Sequence, residues 1–412
     1  MEVEHGKNDR DRSAGFGRLR ENNCFYIDKT GFIREWWDSQ DDVTLITRPR
    51  RFGKTLNMSM LDYFFSNRYP GRSDLFEGLE IWEDEKYRAL QGTYPVIFVT
   101  FAGVKGSNYP DTLAGIKKQI ARLFSQFSYL RTCDCLDDSE RIALGRINEE
   151  MSDVDAAYAL NLLSALLSKY HEKKVLVLLD EYDTPLQEAW VHRYWDELVS
   201  FIRTMFNNTF KTNPCLERGI MTGITRVSKE SIFSDLNNLS VVTTTSDQYS
   251  TAFGFTESEV FQSMDEQGFA ESDRSGVKSW YDGFTFGKTP DIYNPWSVTM
   301  FLKNRKLDTY WANTSGNGLV SKLIREGDAE LKSEFENLLS GGCIEAEIDE
   351  QIIFNQLNGN RNAIWSLLLA SGYLKVDHVT PQDPEDEKTA PVYTLCLTNG
   401  EVRRMFRKMI GG

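Results

Sequence analysis

The stretch RPRRFGKT (residues 48–55) separates a strand-like segment from a helix-like segment. Before it, VTLI (residues 43–46) is a short run of apolar and β-branched residues, which is typical of a buried strand. After it, apolar side chains recur three and four positions apart between Leu56 and Phe65, which predicts a helix with one buried face. The sequence therefore places a basic, glycine-containing loop between a strand and a helix.

The end of this loop has the residue types of a phosphate-binding site. Backbone N–H groups at a helix N-terminus attract anions, a lysine there reaches the β- and γ-phosphates, and a hydroxyl binds Mg²⁺. Gly53, Lys54 and Thr55 match the end of the pattern G-x-x-x-x-G-K-[ST], but Arg48 stands where the first glycine is expected. Alone, the three residues are weakly specific, because an ordinary strand-to-helix turn also contains such residues.

A second motif makes nucleotide binding the favoured interpretation. LVLLDE (residues 176–181) is a run of four apolar residues followed by two carboxylates. An aspartate at such a strand end orients Mg²⁺, and an adjacent glutamate activates the attacking water. In a parallel sheet the carboxyl ends of the strands meet at one edge, where ligands bind. Asp180 and Glu181 are therefore expected beside the loop.

A third motif, MTGITR (residues 221–226), ends the next strand-like segment. Thr222 could hold the lytic water or sense the γ-phosphate, and Arg226 could neutralise charge that develops in the transition state. A hydrogen-bonded turn with a solvated arginine explains the same residues equally well.

Strand-like and helix-like segments alternate over the first 250 residues. This alternation predicts right-handed βαβ crossovers and a mostly parallel sheet flanked by helices on both faces, an α/β fold. The further predicted strands are residues 94–101, 173–180 and 218–224, and the further predicted helices are residues 112–130, 153–170 and 192–209.

The later sequence changes in character. Thr256 and Glu259 predict a capping box at the start of a helix, and aromatic residues and turns follow. Helical spacing returns at residues 329–339 and 364–374, and residues 377–388 form an acidic, proline-containing surface loop or hairpin tip. We expect a disordered tail (1–15), a phosphate-loop core (16–250), an aromatic-rich lid region (251–325) and a mainly helical C-terminal region with a short β element (326–412).

Charge argues against a general nucleic-acid-coating protein. The 412 residues include 47 Lys and Arg against 61 Asp and Glu, a formal net charge of −14. An acidic surface repels polyphosphates over distance, although a local basic site is still possible. Arg48, Arg50 and Arg51 concentrate positive charge in the loop, so a local DNA surface there stays open as an alternative.

The remaining composition predicts a cytoplasmic protein without membrane segments. The charged first 20 residues have no apolar core of a secretory signal, and no apolar run approaches the length that spans a bilayer. All six cysteines are therefore expected to be reduced thiols. Cys133 and Cys135 are only weak candidates for metal ligands, since no partners stand at ligand spacing. The cysteines are Cys24, Cys133, Cys135, Cys215, Cys343 and Cys396.

The motifs and their order resemble the AAA-ATPase-like family of bacterial P-loop proteins. The resemblance covers about residues 16–300 and extends more loosely to the end, and an arginine at position 48 is normal in this family. The segments that carry it are YIDKT (26–30), RPRRFGKTLNMSML (48–61), YPVIFVTF (94–101), LDEYDTPL (179–186), TGITRVSKESIFSDLNNL (222–239), WYDGFTFG (280–287), YNPWSV (293–298) and YWANTSGN (310–317).

The resemblance implies ATP binding and Mg²⁺-dependent hydrolysis, without a pathway. Lys54 would bind the β- and γ-phosphates, Thr55 and Asp180 would hold Mg²⁺, and Glu181 would act on water. Thr222 and Arg226 are additional catalytic candidates. The predicted nucleotide-binding residues are Arg48, Pro49, Arg50, Arg51, Phe52, Gly53, Lys54, Thr55 and Leu56.

Two other functions stay open on the sequence alone. One is an ATP-dependent switch or scaffold that turns over little ATP and regulates a protein partner. The other is an accessory module of nucleic-acid processing. Many relatives continue into a PD-(D/E)XK nuclease-like domain, but no aspartate is followed at the required distance by Glu-x-Lys on a strand. That domain is therefore expected to be absent from this chain.

Overall fold

Five short apolar segments pair into one parallel sheet in this computed structural model. Its order is β2-β3-β4-β1-β5, and every neighbouring pair runs parallel. The strands are β1 (Val43–Thr47), β2 (Val96–Thr100), β3 (Val175–Asp180), β4 (Leu216–Gly223) and β5 (Leu239–Val242). The structure describes residues 15–226, 232–233, 236–311, 323–349, 357, 360–380 and 390–410.

Helices cover both faces of this sheet, as the alternating sequence pattern predicts. Along β3, Val175, Val177 and Leu179 point into one core, whereas Leu176 and Leu178 point into the other. A parallel strand buried on both faces needs such a continuous apolar run. The helices are α1 (Gly15–Glu21), α2 (Gly31–Ser39), α3 (Lys54–Phe65), α4 (Glu85–Arg88), α5 (Tyr109–Ser125), α6 (Asp138–Arg146), α7 (Asp153–His171), α8 (Thr184–His192) and α9 (Trp195–Phe206).

The lid region has its own small apolar core. The capping box predicted at Thr256 and Glu259 is confirmed at the start of its first helix. Tyr281, Tyr293 and Phe301 pack together there, away from the main sheet. Its elements are β6 (Phe255–Thr256), α10 (Glu257–Glu266), α11 (Asp273–Tyr281), β7 (Phe284–Phe286), β8 (Thr289–Tyr293) and α12 (Pro295–Asn304), with the strands in the antiparallel order β6-β8-β7.

The C-terminal region combines helices with more β structure than the short element predicted. Its three strands form an antiparallel sheet in the order β10-β11-β9, and its apolar side chains join the same core as one face of the main sheet. The elements are α13 (Ala329–Leu339), β9 (Ile344–Glu347), α14 (Arg361–Ala370), β10 (Leu374–Thr380), β11 (Val392–Leu397) and α15 (Gly400–Ile410).

Several local predictions need correction. The helix predicted over residues 192–209 begins later, at Trp195, because Arg193 adopts a left-handed conformation (φ 66°) that ends α8 at His192; beyond Phe206 it continues as a π-helical turn (Asn207–Lys211). Residues 377–380, predicted as loop, continue β10, and the rest of that acidic segment lies outside the described residues. The predicted tail lies outside them as well, except for Gly15. The boundaries proposed at residues 250 and 325 stay predictions.

The expectation of six reduced cysteines is wrong for one pair. The antiparallel register pairs Leu395 with Ile344, so the next positions, Cys396 and Cys343, face each other across β11 and β9. Their Cα atoms lie 4.5 Å apart, and the two residues form a disulfide. Sequence spacing alone does not reveal this pair, because the partners are 53 residues apart. The other four cysteines are free.

None of the helices in the described part of the chain combines the length and apolar character that crossing a bilayer requires.

The cross-strand disulfide predicts a redox-dependent stability. In the chain-entropy treatment, closing a loop of 53 residues contributes about 4 kcal/mol to the free energy of unfolding. We expect dithiothreitol to lower the thermal midpoint of the wild-type protein, and Cys343→Ser to lower it by a similar amount without further response to the reductant. Cys215→Ser, which changes a free cysteine, is the control and should keep the wild-type response. A wild-type midpoint that does not respond to reductant would contradict the disulfide.

Candidate nucleotide-binding site

The loop between β1 and α3 presents an open helix N-terminus. Gly53 adopts a left-handed conformation (φ 80°) at the N-cap of α3, and no side chain caps the helix there. A Cβ atom added at Gly53 would meet nothing within 4 Å among the described residues. Gly53 therefore borders open space at the N-terminus of α3, and an uncapped helix N-terminus is the arrangement that binds phosphate.

Lys54 folds back over this loop. Its side chain is buried, and Nζ donates to the backbone carbonyl oxygens of Arg48 and Pro49, at 2.8 Å each. Burial lowers the pKa of Lys54, while the carboxylates of Glu181, Asp183 and Asp180 oppose that shift. The ammonium group therefore lies in the loop, close to acidic groups from the neighbouring strand end.

Asp180 is the centre of a hydrogen-bond network that joins three strands and the loop helix. Its Oδ2 accepts from Thr55 Oγ1 at 2.9 Å and from Thr100 Oγ1 at 3.2 Å, and its Oδ1 accepts from Thr222 Oγ1 at 2.7 Å. Burial raises the pKa of Asp180, and the neighbouring Glu181 raises it further, whereas the hydroxyl donors lower it. The network explains how a fully buried carboxylate is tolerated.

Glu181 holds an unusual backbone conformation at the carboxyl end of β3. Its φ of 52° is in the left-handed region, which a non-glycine residue rarely adopts. The residue is partly exposed, and its Oε2 accepts from Thr184 Oγ1 at 3.2 Å. This turn directs the Glu181 carboxylate away from the course of the strand, and such strained conformations concentrate at functional sites.

The residues around Asp180 fit a hard divalent cation together with a phosphate. Thr55 supplies a hydroxyl oxygen and Asp180 a carboxylate oxygen, which are the donor types that Mg²⁺ takes in nucleotide sites. Their direct contact at 2.9 Å places both donors at one point beside the helix N-terminus. The sheet order explains the juxtaposition, since β4 alone lies between β1 and β3.

The side chain of Arg48 does not face this site. It is fully buried, and its guanidinium donates to the carbonyl oxygens of Thr47 at 2.9 Å and Thr243 at 2.6 Å. Longer contacts reach the carbonyl oxygens of Gln248 and Tyr249. The suggestion that Arg48 forms part of a DNA surface is therefore wrong, because the guanidinium is inaccessible and its donors are directed at backbone oxygens.

Burial lowers the pKa of Arg48 to about 9, so the group still carries its charge at neutral pH. Two aromatic rings help to hold that charge: the guanidinium carbon lies 4.6 Å from the centroid of Phe286 and 5.7 Å from that of Phe253. Cations over aromatic faces are attracted by the ring quadrupole, more strongly where water is excluded.

The other loop residues point in different directions. Arg50 contacts Gln187 through Nη2 at 3.3 Å, and Arg51, with a φ of 66°, places its guanidinium 5.0 Å from the ring of Trp296. Phe52 is fully buried against Phe284 of the lid region, with ring centroids 4.7 Å apart. The sequence-predicted loop is thus partly covered by the lid region.

The C-terminal region also reaches the loop. A Cβ added at Gly372, between α14 and β10, would lie 2.9 Å from the ring of Pro49 and 2.8 Å from Phe284. This close approach is possible because residue 372 is glycine, which here also has a φ of 82°. Leu56, the last residue of the predicted binding segment, is partly buried on α3.

The two catalytic candidates at the end of β4, Thr222 and Arg226, lie in different surroundings. Thr222 joins the Asp180 network and is fully buried. Arg226 instead lines a small cavity with Thr47, Asp349 and the threonines that follow β5. No hydrogen bond or ion pair joins Arg226 to Asp180 or Glu181 within the described ranges, so its catalytic role stays a prediction.

Two further residues belong to the site, although neither is among the predicted site residues. Thr100 reaches Asp180 from β2, and the available signal was a hydroxyl residue at the end of a continuous apolar strand. Asp183 does not cap α8 with its side chain; its Oδ2 accepts from the N–H groups of Ile224 and Thr225 and from the Thr225 hydroxyl, all at 3.0 Å. Asp183 therefore positions the turn that leads to Arg226.

A phosphate-binding loop between a central parallel strand and a helix, facing a buried aspartate on a nearby strand, defines the class of P-loop ATPases. Residues 14–233 match the AAA-ATPase-like family, described as Predicted AAA-ATPase. The chain belongs to this family.

Two proteins similar to this chain are both longer than it. An uncharacterized protein in the vnfD 5′ region of Azotobacter chroococcum mcd 1 is 25% identical over 390 residues, which cover 94% of this chain and 67% of that protein. A solved structure, a Signal Transduction ATPase with Numerous Domains protein with a tetratricopeptide repeat sensor from Pyrococcus horikoshii, is 13% identical with a TM-score of 0.32. That alignment covers 93% of this chain and 42% of the other.

The buried guanidinium predicts that Arg48 stabilises the fold independently of nucleotide. Arg48→Met keeps the length of the side chain but removes the guanidinium donors from four carbonyl oxygens, of which those of Thr243 and Tyr249 keep a backbone N–H donor. We expect this loss to cost about 2–5 kcal/mol. The measurement is the thermal midpoint of the nucleotide-free protein, which should fall by about 2–6 °C. Arg50→Met, in the same loop, is the matched control and should change it little. Equal midpoints for the two variants would contradict the structural role.

Proposed function

We propose that the protein binds ATP with Mg²⁺ at the loop Arg48–Leu56 and hydrolyses it. The observation that carries this proposal is the contact of Thr55 with the buried Asp180 beside an uncapped helix N-terminus that also holds the Lys54 ammonium. An ordinary strand-to-helix turn does not require a fully buried carboxylate at this point. Family membership and the sheet order support the same conclusion.

Each residue of the loop has a separate task in this proposal. The N–H groups of the first turn of α3 would hold phosphate oxygens, and Lys54 would leave the carbonyl oxygens of Arg48 and Pro49 to bind the β- and γ-phosphates. Thr55 and Asp180 would hold Mg²⁺. When bound, Mg²⁺ neutralises the negative charge that grows on the phosphate oxygens.

Glu181 is the proposed residue that orients water. Its carboxylate is partly exposed and is turned aside by the left-handed backbone, whereas the Asp180 carboxylate is fully buried and taken up by hydroxyl donors. The two adjacent carboxylates therefore have different environments, which suits one to a metal and the other to a water molecule. Thr222 would keep Asp180 oriented, and Arg226 would neutralise charge only if it approached the phosphates.

A second candidate function, an ATP-dependent switch, is supported by the cover over the loop. Phe52 packs against Phe284 of the lid region, and Pro49 lies against Gly372 of the C-terminal region. Nucleotide on the loop would therefore act directly on two other parts of the chain. In this candidate the output is a change in those contacts, offered to a protein partner, and turnover is slow.

The hydrolysis proposal predicts opposite behaviour for two variants. Lys54→Ala should abolish ATP-dependent thermal stabilisation together with turnover, because it removes the phosphate-binding cation. Glu181→Gln should keep the stabilisation but lower kcat by about 10²-fold or more, because it removes the base and preserves the shape. Phosphate release and the thermal midpoint, with and without MgATP, are the measurements.

A control variant makes this pair interpretable. Lys117→Ala changes a lysine on α5 that pairs with Asp153, away from the loop, and should behave as wild type in both assays. Wild-type turnover in both Lys54→Ala and Glu181→Gln would contradict the proposed mechanism.

The switch candidate predicts a nucleotide-dependent change at the cover. In Glu181→Gln, which would retain ATP, hydrogen exchange of the amides of Phe284–Phe286 and Gly372 should change when MgATP is added. The strand Ile344–Glu347 of the C-terminal region is the internal control and should exchange at an unchanged rate. If ATP altered exchange only within the loop and residues 180–183, the switch candidate would fail while the hydrolysis proposal would stand.

A further inference from the structure

A second group of acidic side chains lies in the lid region, outside the loop site. Glu257 is the first residue of α10, Asp282 follows α11 directly, and Asp291 lies on β8. One carboxylate oxygen from each lies within 4.8 Å of the others. Three different elements thus bring three negative charges to one place.

Asp282 distinguishes this arrangement from an acidic cluster that is wholly exposed to solvent. The residue is only 7% exposed, and its Oδ1 is buried with no hydrogen-bond partner among the described residues. A buried carboxylate oxygen without a donor is costly, so the geometry of this site requires a positive ligand or a proton.

The lysine at the cluster compensates for only part of this charge. Lys278 Nζ lies 2.5 Å from Glu257 Oε2, but 3.4 Å from Asp291 Oδ1 and 3.8 Å from Asp282 Oδ2. One ammonium group faces three carboxylates and bonds closely to one of them. The Lys278 side chain is 45% exposed, so it can swing into solvent without opening the core.

We propose that Glu257, Asp282 and Asp291 form a binding site for a hard divalent cation such as Mg²⁺, Ca²⁺ or Mn²⁺, separate from the nucleotide loop. All three ligands are carboxylates, and oxygen donors select these cations over softer metals. The Tyr293 hydroxyl donates to Glu257 Oε2 at 3.0 Å and so fixes the orientation of one ligand. The cation displaces the Lys278 ammonium from between the carboxylates and supplies the charge that a single lysine cannot.

The position of the site gives the bound cation a structural effect near the loop. Asp282 precedes Gly283, whose φ of 107° and close approach to the Thr398 carbonyl oxygen fix the backbone against the C-terminal region. Asn399 also donates to the backbone oxygen of Asp282 at 2.9 Å. Phe284 follows and packs on Phe52. A cation at Asp282 therefore tightens the segment that covers the nucleotide loop.

The test is direct binding of Mn²⁺ to the nucleotide-free protein. The concentration of free Mn²⁺ is measured from its electron paramagnetic resonance signal. Asp180→Asn weakens the loop site and isolates the proposed one. In that background we expect one saturable Mn²⁺ site, with competition by MgCl₂ and CaCl₂. Adding Asp282→Asn should weaken it by at least 10-fold, since a neutral amide replaces the buried carboxylate.

Two further variants keep the result decisive. Asp291→Asn changes a largely exposed ligand with little risk to folding and should also weaken Mn²⁺ binding. Asp265→Asn changes an exposed carboxylate on α10 that pairs with Arg274, and it should leave binding unchanged. Absence of a saturable site in Asp180→Asn, or equal binding in the Asp282, Asp291 and Asp265 variants, overturns the proposal. ATP turnover in the wild type would stand in either case, because the two sites use different residues.

Discussion

The buried guanidinium of Arg48 is the interaction on which the arrangement of the loop depends. It leaves the end of β1 and donates to carbonyl oxygens of the chain that follows β5, so it fastens the start of the loop to the edge of the sheet. The rings of Phe253 and Phe286 enclose its charge. A glycine at this position would give the backbone freedom, whereas this arginine gives it an anchor.

That anchor also decides what can cover the loop. Because Phe286 holds the Arg48 charge, the strand that contains it is drawn close enough for Phe284 to reach Phe52. The same strand lies beside Gly372, whose missing side chain leaves room for Pro49 and Phe284 together. One buried cation, two aromatic residues and one glycine thus join the core to both later regions of the chain.

The sequence was sufficient for four of the five strands of the main sheet and for the gathering of Lys54, Thr55, Asp180 and Thr222, because continuous apolar runs and polar strand ends are local signals. The direction of the Arg48 side chain could not be predicted, since its partners are backbone oxygens about 200 residues away. The left-handed φ of Glu181 was equally hidden, because no local residue type demands it. The short strand β5 was missed, and the Cys343–Cys396 pair depends on a register that only the folded sheet defines.

Two buried aspartates in this chain have contrasting environments. Asp180 accepts hydrogen bonds from Thr55, Thr100 and Thr222, so its charge is stabilised within the protein itself. Asp282 has a buried oxygen with no such donor in the described part of the chain, and its neighbours are mostly of the same charge. The charge of Asp180 is therefore compensated by hydroxyl donors, whereas the charge of Asp282 is not compensated in this way.

The distance along the chain between Arg48 and its acceptors has a consequence for biosynthesis. Tyr249, the last of these acceptors, is added 201 residues after Arg48, which at about 5–20 residues per second takes roughly 10–40 s. Throughout that interval the guanidinium must remain hydrated and the loop cannot adopt its final form. Gly372 emerges later still. The loop therefore becomes complete only when later segments of the chain have been made and fold back upon it.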